Sequence, residues 1–343
     1  MERVVFMSVA ALALAALTGT ATALAAEDEP VWAWGFTTPP PSSPPAAAAP
    51  APPLDNIKQL TLQGSRFSFT RAEIANPYGP ADWFPDDHPI MPDVIAHGRE
   101  SAQPKIWACG FCHYPNGKGR SENANLAGLP YDYMVHTLMD FANGARKTSD
   151  PRKTNTSLMS GFAKAMTDDE IKAAAKYFSS LPATAWTKVV ESETAPKTEG
   201  SKPPGMFLTL AGADAGTETL GQRIIETPVS RDDTDILRNP HSGFVAYVPP
   251  GSIKKGEALV QNGLTASGAQ VTACTACHGL DLRGLGPIPR LAGRSPFYIA
   301  RQLYDMQNGN RSGTWTPLMA AVVANLGPND LLAAAAYLAS LEP

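Results

Sequence analysis

Cys109-Gly-Phe-Cys-His113 and Cys274-Thr-Ala-Cys-His278 hold all four cysteines of a 343-residue chain, and both read C-x-x-C-H. The spacing sets two thiols about one turn apart, with a histidine beside the second. Covalent haem attachment needs that layout. The thiols add to the two vinyl groups, and the histidine imidazole binds the iron. A disulfide within each motif, or one zinc held by four thiolates, would also use every cysteine. Neither would explain why both motifs end in histidine. Cys109, Cys112 and His113, with Cys274, Cys277 and His278, are therefore the expected attachment sites of two covalently bound haem c groups.

The chain repeats itself at the distance between the motifs. At an offset of 165 residues, Gly98 falls on Gly263, Gly119 on Gly284 and Leu126-Ala-Gly128 on Leu291-Ala-Gly293. Tyr133 falls on Tyr298, Asp140 on Asp305 and Arg146 on Arg311. The second copy then loses five residues, and the match resumes at 160, with Met159 on Met319 and Phe178 on Leu338. Each copy predicts the same helices. One precedes the motif, near 92–97 or 255–262. One follows the Leu-Ala-Gly turn, near 131–143 or 296–308. A last helix closes the copy. Thr167-Asp-Asp-Glu170 is a capping box at its start in copy one; Gly327-Pro328 starts it in copy two. Apolar residues at 171, 174, 175, 178 and 181, and at 331, 334, 335, 338 and 341, mark one core-facing side. Neither copy shows strand alternation, so the fold class is all-α.

A haem iron has a second axial position. A strong ligand there makes a carrier; an open position makes a catalyst. Met159 and Met319 align and are expected in the loop before the last helix, where they can close over the haem; Met166 rivals Met159. With His113 and His278 they form the expected iron ligands. Met134, Met139 and Met306 lie within the middle helices opposite non-ligands and read as core. His88, His97, His136 and His241 read as surface histidines. Arg146 and Arg311 suit either haem propionates or a solvated helix end.

The rest of the chain is different in character. Residues 1–26 have an early arginine, an apolar run and Ala23-Leu-Ala25, which is a signal-peptide layout and predicts export to the periplasm. Left uncleaved, the stretch would serve as a membrane tether. Residues 27–90 form an acidic, Pro/Ala-rich extension, expected to be irregular, whose Thr37–Pro53 stretch reads as a stiff spacer. Residues 186–250 join the copies and are too long for a plain linker; they contain apolar patches at 206–208 and 244–248 and are expected to be irregular. Charged residues are 17% and the net charge is −4, which argues against nucleic acid as a partner. The haem segments are mildly basic and the extensions acidic, so the extensions are expected to wrap away from the haem faces.

With both motifs, the Leu-Ala-Gly turns, the paired methionines and the closing helices in view, the chain resembles the di-haem cytochromes c built from two class I cytochrome c domains. The resemblance covers about 91–181 and 251–341 and divides the chain into domains 91–185 and 251–343. It implies periplasmic electron transfer with His/Met ligation, here His113/Met159 and His278/Met319. The implied partners are a periplasmic dehydrogenase, a terminal oxidase or both. Family members often place Gly-Pro before the Leu-Ala-Gly turn, with the proline helping to orient the proximal histidine. Copy two has Gly286-Pro-Ile-Pro289; copy one has Ser121-Glu-Asn-Ala124 and no proline, which predicts unequal potentials. The competing function is a di-haem peroxidase, which needs one open haem; the close repeat argues against such division of labour. A thiosulfate-oxidising enzyme with a cysteine ligand has no cysteine left to use. A haem-bearing subunit of a larger dehydrogenase would share the carrier chemistry.

Overall fold

The computed structural model describes residues 53–201 and 205–343. The expected signal segment, and all but the last residue of the proline-rich stretch, lie outside the described residues.

The chain enters through a two-stranded antiparallel pair, β1 (Leu60–Thr61) and β2 (Ser68–Phe69), and a short helix α1 (Arg71–Ile74). These enclose a small core of Leu62, Ile74 and Trp83. The first repeat follows with α2 (Asp93–Ala96), α3 (Cys109–His113), α4 (Tyr131–Ala142), α5 (Thr154–Ala165) and α6 (Asp168–Ser180). The capping box forms at α6. Thr167 Oγ1 accepts from the Glu170 amide, and the Glu170 carboxylate accepts from the Thr167 amide at 2.8 Å. The buried face of α6 carries Ile171, Ala174, Ala175, Tyr177 and Phe178.

The segment between the repeats differs from expectation. It is not irregular: its described residues hold seven strands and one α-helix. In chain order they are β3 (Thr187–Glu191), β4 (Thr194–Pro196), β5 (Thr198–Gly200), β6 (Phe207–Thr209), β7 (Thr217–Thr219), β8 (Ile225–Pro228), α7 (Arg231–Asp235) and β9 (Phe244–Val248). Strand β9 is central, parallel to β3 and antiparallel to β8. β4 pairs with β7, and β5 with β6. The two apolar patches are β6 and β9, and β9 alternates buried and half-buried residues at the two-residue period of a strand.

The second repeat comprises α8 (Ser252–Asn262), α9 (Thr275–His278), α10 (Pro296–Gln307), α11 (Thr316–Val323) and α12 (Pro328–Ser340). Helix α12 packs on α8, α10 and β3. It is therefore buried from Asp330 to Ala339, where α6 buries one face. Among the described residues no single helix is long and apolar enough to cross a membrane.

The repeat carries its backbone geometry with it. The Gly128 and Gly293 amides donate to the Phe178 and Leu338 carbonyls, fixing each Leu-Ala-Gly turn to its closing helix. Gly98 and Gly263 have φ of +64° and +74°. A Cβ there would meet the Ile106 or Val271 carbonyl oxygen at 2.2 or 2.0 Å, so only glycine fits both the turn and the close approach.

The two copies meet through one another's equivalent residues. Lys147 N donates to Asn310 O, and Ser312 N to Ala145 O. Lys147 and Ser312 are repeat partners, and so are Ala145 and Asn310. Ser149 donates to the Asp305 carboxylate, while the Thr314 backbone bonds to that of Asp140. Arg146 and Arg311 are thus neither solvated helix ends nor loose surface cations. They face each other across a bridge between the copies.

The extensions do not wrap elsewhere, as charge suggested; they pack on each other and on both copies. Trp83 Nε1 donates to the Leu237 carbonyl, Arg71 to that of Ile236, and Ala108 N to that of Pro77. Apolar packing and single hydrogen bonds outweigh a small difference in net charge.

Candidate haem sites

In copy one, Cys109, Cys112 and His113 lie on the single turn α3, which starts where the Ala108 amide is held by Pro77. Burial pushes the Cys109 thiol up to about 12. His113 is buried, and its Nδ1 lies 2.8 Å from the Ala124 carbonyl. A carbonyl accepts only, so Nδ1 carries the proton and Nε2 keeps a lone pair. Burial also lowers the pKa of His113, which favours the neutral ring. Copy two repeats this: His278 is buried with a lowered pKa, and its Nδ1 lies 2.8 Å from the Pro289 carbonyl. Ala124 and Pro289 occupy the same repeat position. The missing proline of copy one therefore leaves the orienting acceptor in place, because the backbone carbonyl supplies it. The repeat aligns Ala124 with Pro289 but does not reveal the contact that each makes with its histidine.

A cavity opens over α3, and Cys109, Cys112, His113 and Met159 all line it. Met159 and Met319 are not in loops. They lie on α5 and α11, the helices before each closing helix. A helix holds such a side chain more firmly than a loop would. Met166, the C-cap of α5, lines the same cavity and packs on the first core. Met319 packs with Cys274 against the core of copy two. Met134 and Met306 are core residues as expected, whereas Met139 is exposed.

The histidines outside the motifs are only partly surface residues. His97 is exposed. The His88 side chain is buried against Asp82 and the ring of Tyr177. His241 pairs with Asp87 and stacks on Phe84 at 3.9 Å. His136 sits 4.9 Å from the Trp315 ring of the other copy.

The cavity lining carries cations as well as the carboxyl groups of Glu122 and Asp305. Arg146, Lys153, Arg294 and Arg301 line the cavity, the last two from copy two. Burial, then Arg301, holds Lys153 well below the usual lysine range, and burial pulls Arg301 down to about 10. Arg294 Nε is buried with no partner among the described residues. Buried cations with unused donors call for anions. A haem fits this set. Its two vinyl carbons would meet the two thiols, its iron His113 Nε2 and a thioether, and its two carboxylates the buried cations. These cations come from both copies, which sequence reading within a single copy had no means to find.

The sequence profile of the cytochrome c family matches residues 97–182. Cytochrome c-554(548) of Halomonas halodenitrificans is 36% identical over 74 residues, which are 21% of this chain and 89% of that protein. Cytochrome c4 of Stutzerimonas stutzeri is 26% identical over 255 residues, 72% of this chain and 90% of that protein. The thiosulfate dehydrogenase electron acceptor of Thiomonas intermedia is 28% identical over 243 residues, 70% of this chain and 81% of that protein.

Proposed function

Because the chain belongs to the cytochrome c family, we propose that it is an exported di-haem electron carrier. The observation that carries this is the paired histidine geometry. Each C-x-x-C-H histidine is buried, donates Nδ1–H to a carbonyl at 2.8 Å and keeps Nε2 for a metal. A bound haem would supply one-electron chemistry at iron. The chain supplies the rest. Cys109, Cys112, Cys274 and Cys277 tether the macrocycles, and His113 and His278 are held in one tautomer and orientation. Met159 and Met319 offer thioethers, soft ligands that favour the reduced metal. A closed coordination shell suits a carrier, and the alignment of both methionines weighs against a peroxidase with one open site.

The relatives' names support the partner class. Two are electron acceptors of thiosulfate dehydrogenase. The electron donor proposed here is a periplasmic dehydrogenase, one that oxidises a sulfur compound being the leading case, and the acceptor a terminal oxidase or another respiratory component. The test is an optical spectrum of the purified full chain, oxidised and reduced, with and without carbon monoxide. Two low-spin haems per chain, with sulfur-to-iron charge transfer and no carbon monoxide response, support the carrier. A high-spin haem that binds carbon monoxide and turns over peroxide would replace it with the enzyme.

A further inference from the structure

The two copies present the same cysteine loop to different surroundings. In copy one the loop after Cys112 is covered by the strand-rich segment between the repeats. Tyr114 is 2% exposed and packs with Trp186, Met206 and Phe244. Trp186 Nε1 donates to the Gly119 carbonyl at 2.9 Å, and Asn116 Nδ2 to that of Pro240 at 2.9 Å. Arg238 donates to the Phe111 carbonyl and lies 4.0 Å over the Phe111 ring. The entry segment braces this cover from outside, through Trp83 on Leu237 and Phe84 on His241.

Among the described residues, copy two lacks that surrounding contact. Cys277 is exposed, Leu280 is 87% exposed and Leu285 64%. Their repeat partners are Cys112, Pro115 and Arg120. Pro115 and Arg120 do not line the cavity over α3, so a haem in the equivalent place would not cover Leu280 and Leu285. The covering segment does touch copy two, but on another side. Phe207, Ile224 and Val248 pack into its core, and β3 lies on α12.

We propose that the segment 186–250 insulates the cysteine edge of the first haem, so that the chain exchanges electrons with outside partners at the second copy. This rests on the reading that both motifs carry haem. The thioether bonds would fix which edge of each macrocycle lies beside its cysteines; the segment lies outside the cavity, on Phe111 and the loop that follows Cys112, and so thickens the protein between that edge and solvent. Outer-sphere transfer weakens steeply with distance, and a layer of Trp186, Tyr114 and Arg238 keeps a partner's redox centre away. An electron from an outside donor then reduces the ferric iron of copy two first. That iron, now ferrous, gives the electron to ferric iron in copy one across the contact between the repeats. The chain acts as a one-ended relay rather than a two-ended wire.

The test uses the full chain with both haems and a soluble gadolinium chelate as a solvent-confined paramagnetic probe. The readout is broadening of the haem methyl proton resonances. Leu285→Glu shifts the methyls of copy two and so assigns them. The expected result is about five-fold stronger broadening of the copy-two set. Arg238→Ala with Asn116→Ala loosens the cover, and the copy-one set should then broaden at least about two-fold more than before. Stopped-flow reduction by hexaammineruthenium(II), a one-electron donor, should show one phase that rises with reagent concentration and a second that does not. Equal broadening of both sets in the unaltered chain, or two phases that both rise with reagent, would overturn the proposal, whether or not the double variant folds. A haem count of one per chain overturns the di-haem reading and this proposal together, whereas a count of two with equal broadening overturns the proposal alone.

Discussion

The Arg146 guanidinium of the first copy donates to the Tyr298 hydroxyl of the second at 2.8 Å, and Arg311 makes the matching bond to Tyr133 at 3.1 Å. The arginines are repeat partners, and so are the tyrosines. Each copy thus offers the other the same donor and the same acceptor, as the two subunits of a symmetric dimer do across an isologous contact. Gln302 stands between them and accepts from both arginines.

This pairing makes a quantitative prediction. Tyr298→Phe and Tyr133→Phe each remove one hydrogen bond to a charged group, a bond worth about 1.5–3 kcal/mol. Gln302 remains as a partner for both arginines, so the expected cost is near the lower end, and similar for the two variants. A double-mutant cycle of Arg146→Gln with Tyr298→Phe should show coupling of about 1 kcal/mol. Denaturant unfolding of the haem-loaded chain measures all of these. Coupling indistinguishable from zero would mean that the contact does not hold the copies together.

The middle and closing helices were legible because each rests on a local signal. The α6 capping box and the 3.6-residue apolar rhythm of α6 and α12 need no knowledge of the rest of the chain. The cysteine motifs are legible for the same reason. The strands were not. β6 and β9 were visible as apolar patches, but β9 pairs in parallel with β3, fifty-seven residues earlier at its first pair, Thr187 with Phe244. A run of three to five residues carries too little periodicity to declare that partner. The interface was hidden in another way. Tyr133, Tyr298, Arg146 and Arg311 all appeared in the repeat, but alignment shows equivalence and not contact. The loop placement of Met159 and Met319 failed because α5 and α11 are not strongly amphipathic. The first has a Thr-Asn-Thr-Ser start and the second is apolar on most sides.

Gly256 marks the tightest helix crossing. A Cβ there would lie 2.0 Å from the Ala333 carbonyl oxygen and 2.6 Å from the Tyr337 Cβ. The obstacle is helix backbone, which cannot turn aside as a long side chain can. Gly256→Ala, although it favours helix by up to about 1 kcal/mol intrinsically, should therefore destabilise by about 1–3 kcal/mol as α8 and α12 move apart. Gly309→Ala, with nothing within 4 Å of its Cβ but φ at +71°, gives the comparison of backbone strain without a clash. Thermal unfolding ranks the two; a Gly256→Ala chain as stable as the parent would show that the crossing is looser than drawn.

Met319→Ala should leave the second iron with an open position, seen as a partial high-spin spectrum and carbon monoxide binding by one haem per chain. Met159→Ala should do the same at the first. Met166→Ala separates the two candidates on the shared cavity wall: as a core residue at the end of α5 it should lower stability without opening the iron. If Met166→Ala opens the first haem and Met159→Ala does not, the ligand of copy one is Met166. The spectra decide this independently of any electron-transfer assay.

Glu226 joins the strand-rich segment to copy two. It is 1% exposed, and its carboxyl accepts from Ser295 Oγ at 2.5 Å and from Thr187 Oγ1 at 3.0 Å. Burial pushes its pKa up to about 7, against the opposing pull of the two hydroxyls and Arg301. An unfolded glutamate ionises near the ordinary 4.5. Between those values the folded chain holds a proton that the unfolded chain has released, so raising the pH favours unfolding. The loss begins near pH 4.5 and is complete somewhat above pH 7. It cannot exceed about 1.4 kcal/mol for each pH unit crossed. Glu226→Gln keeps the size and the acceptor oxygen but has no proton to lose. Its urea midpoint should therefore rise relative to the parent's as pH goes from 5 to 8, and then run parallel. A lysine or histidine with a raised pKa would also lose stability as pH climbs, but Glu226→Gln leaves all such groups in place, so only the Glu226 share disappears. Parallel curves from pH 5 to 8 would show that Glu226 is already ionised in the folded chain and that Ser295, Thr187 and Arg301 together outweigh its burial.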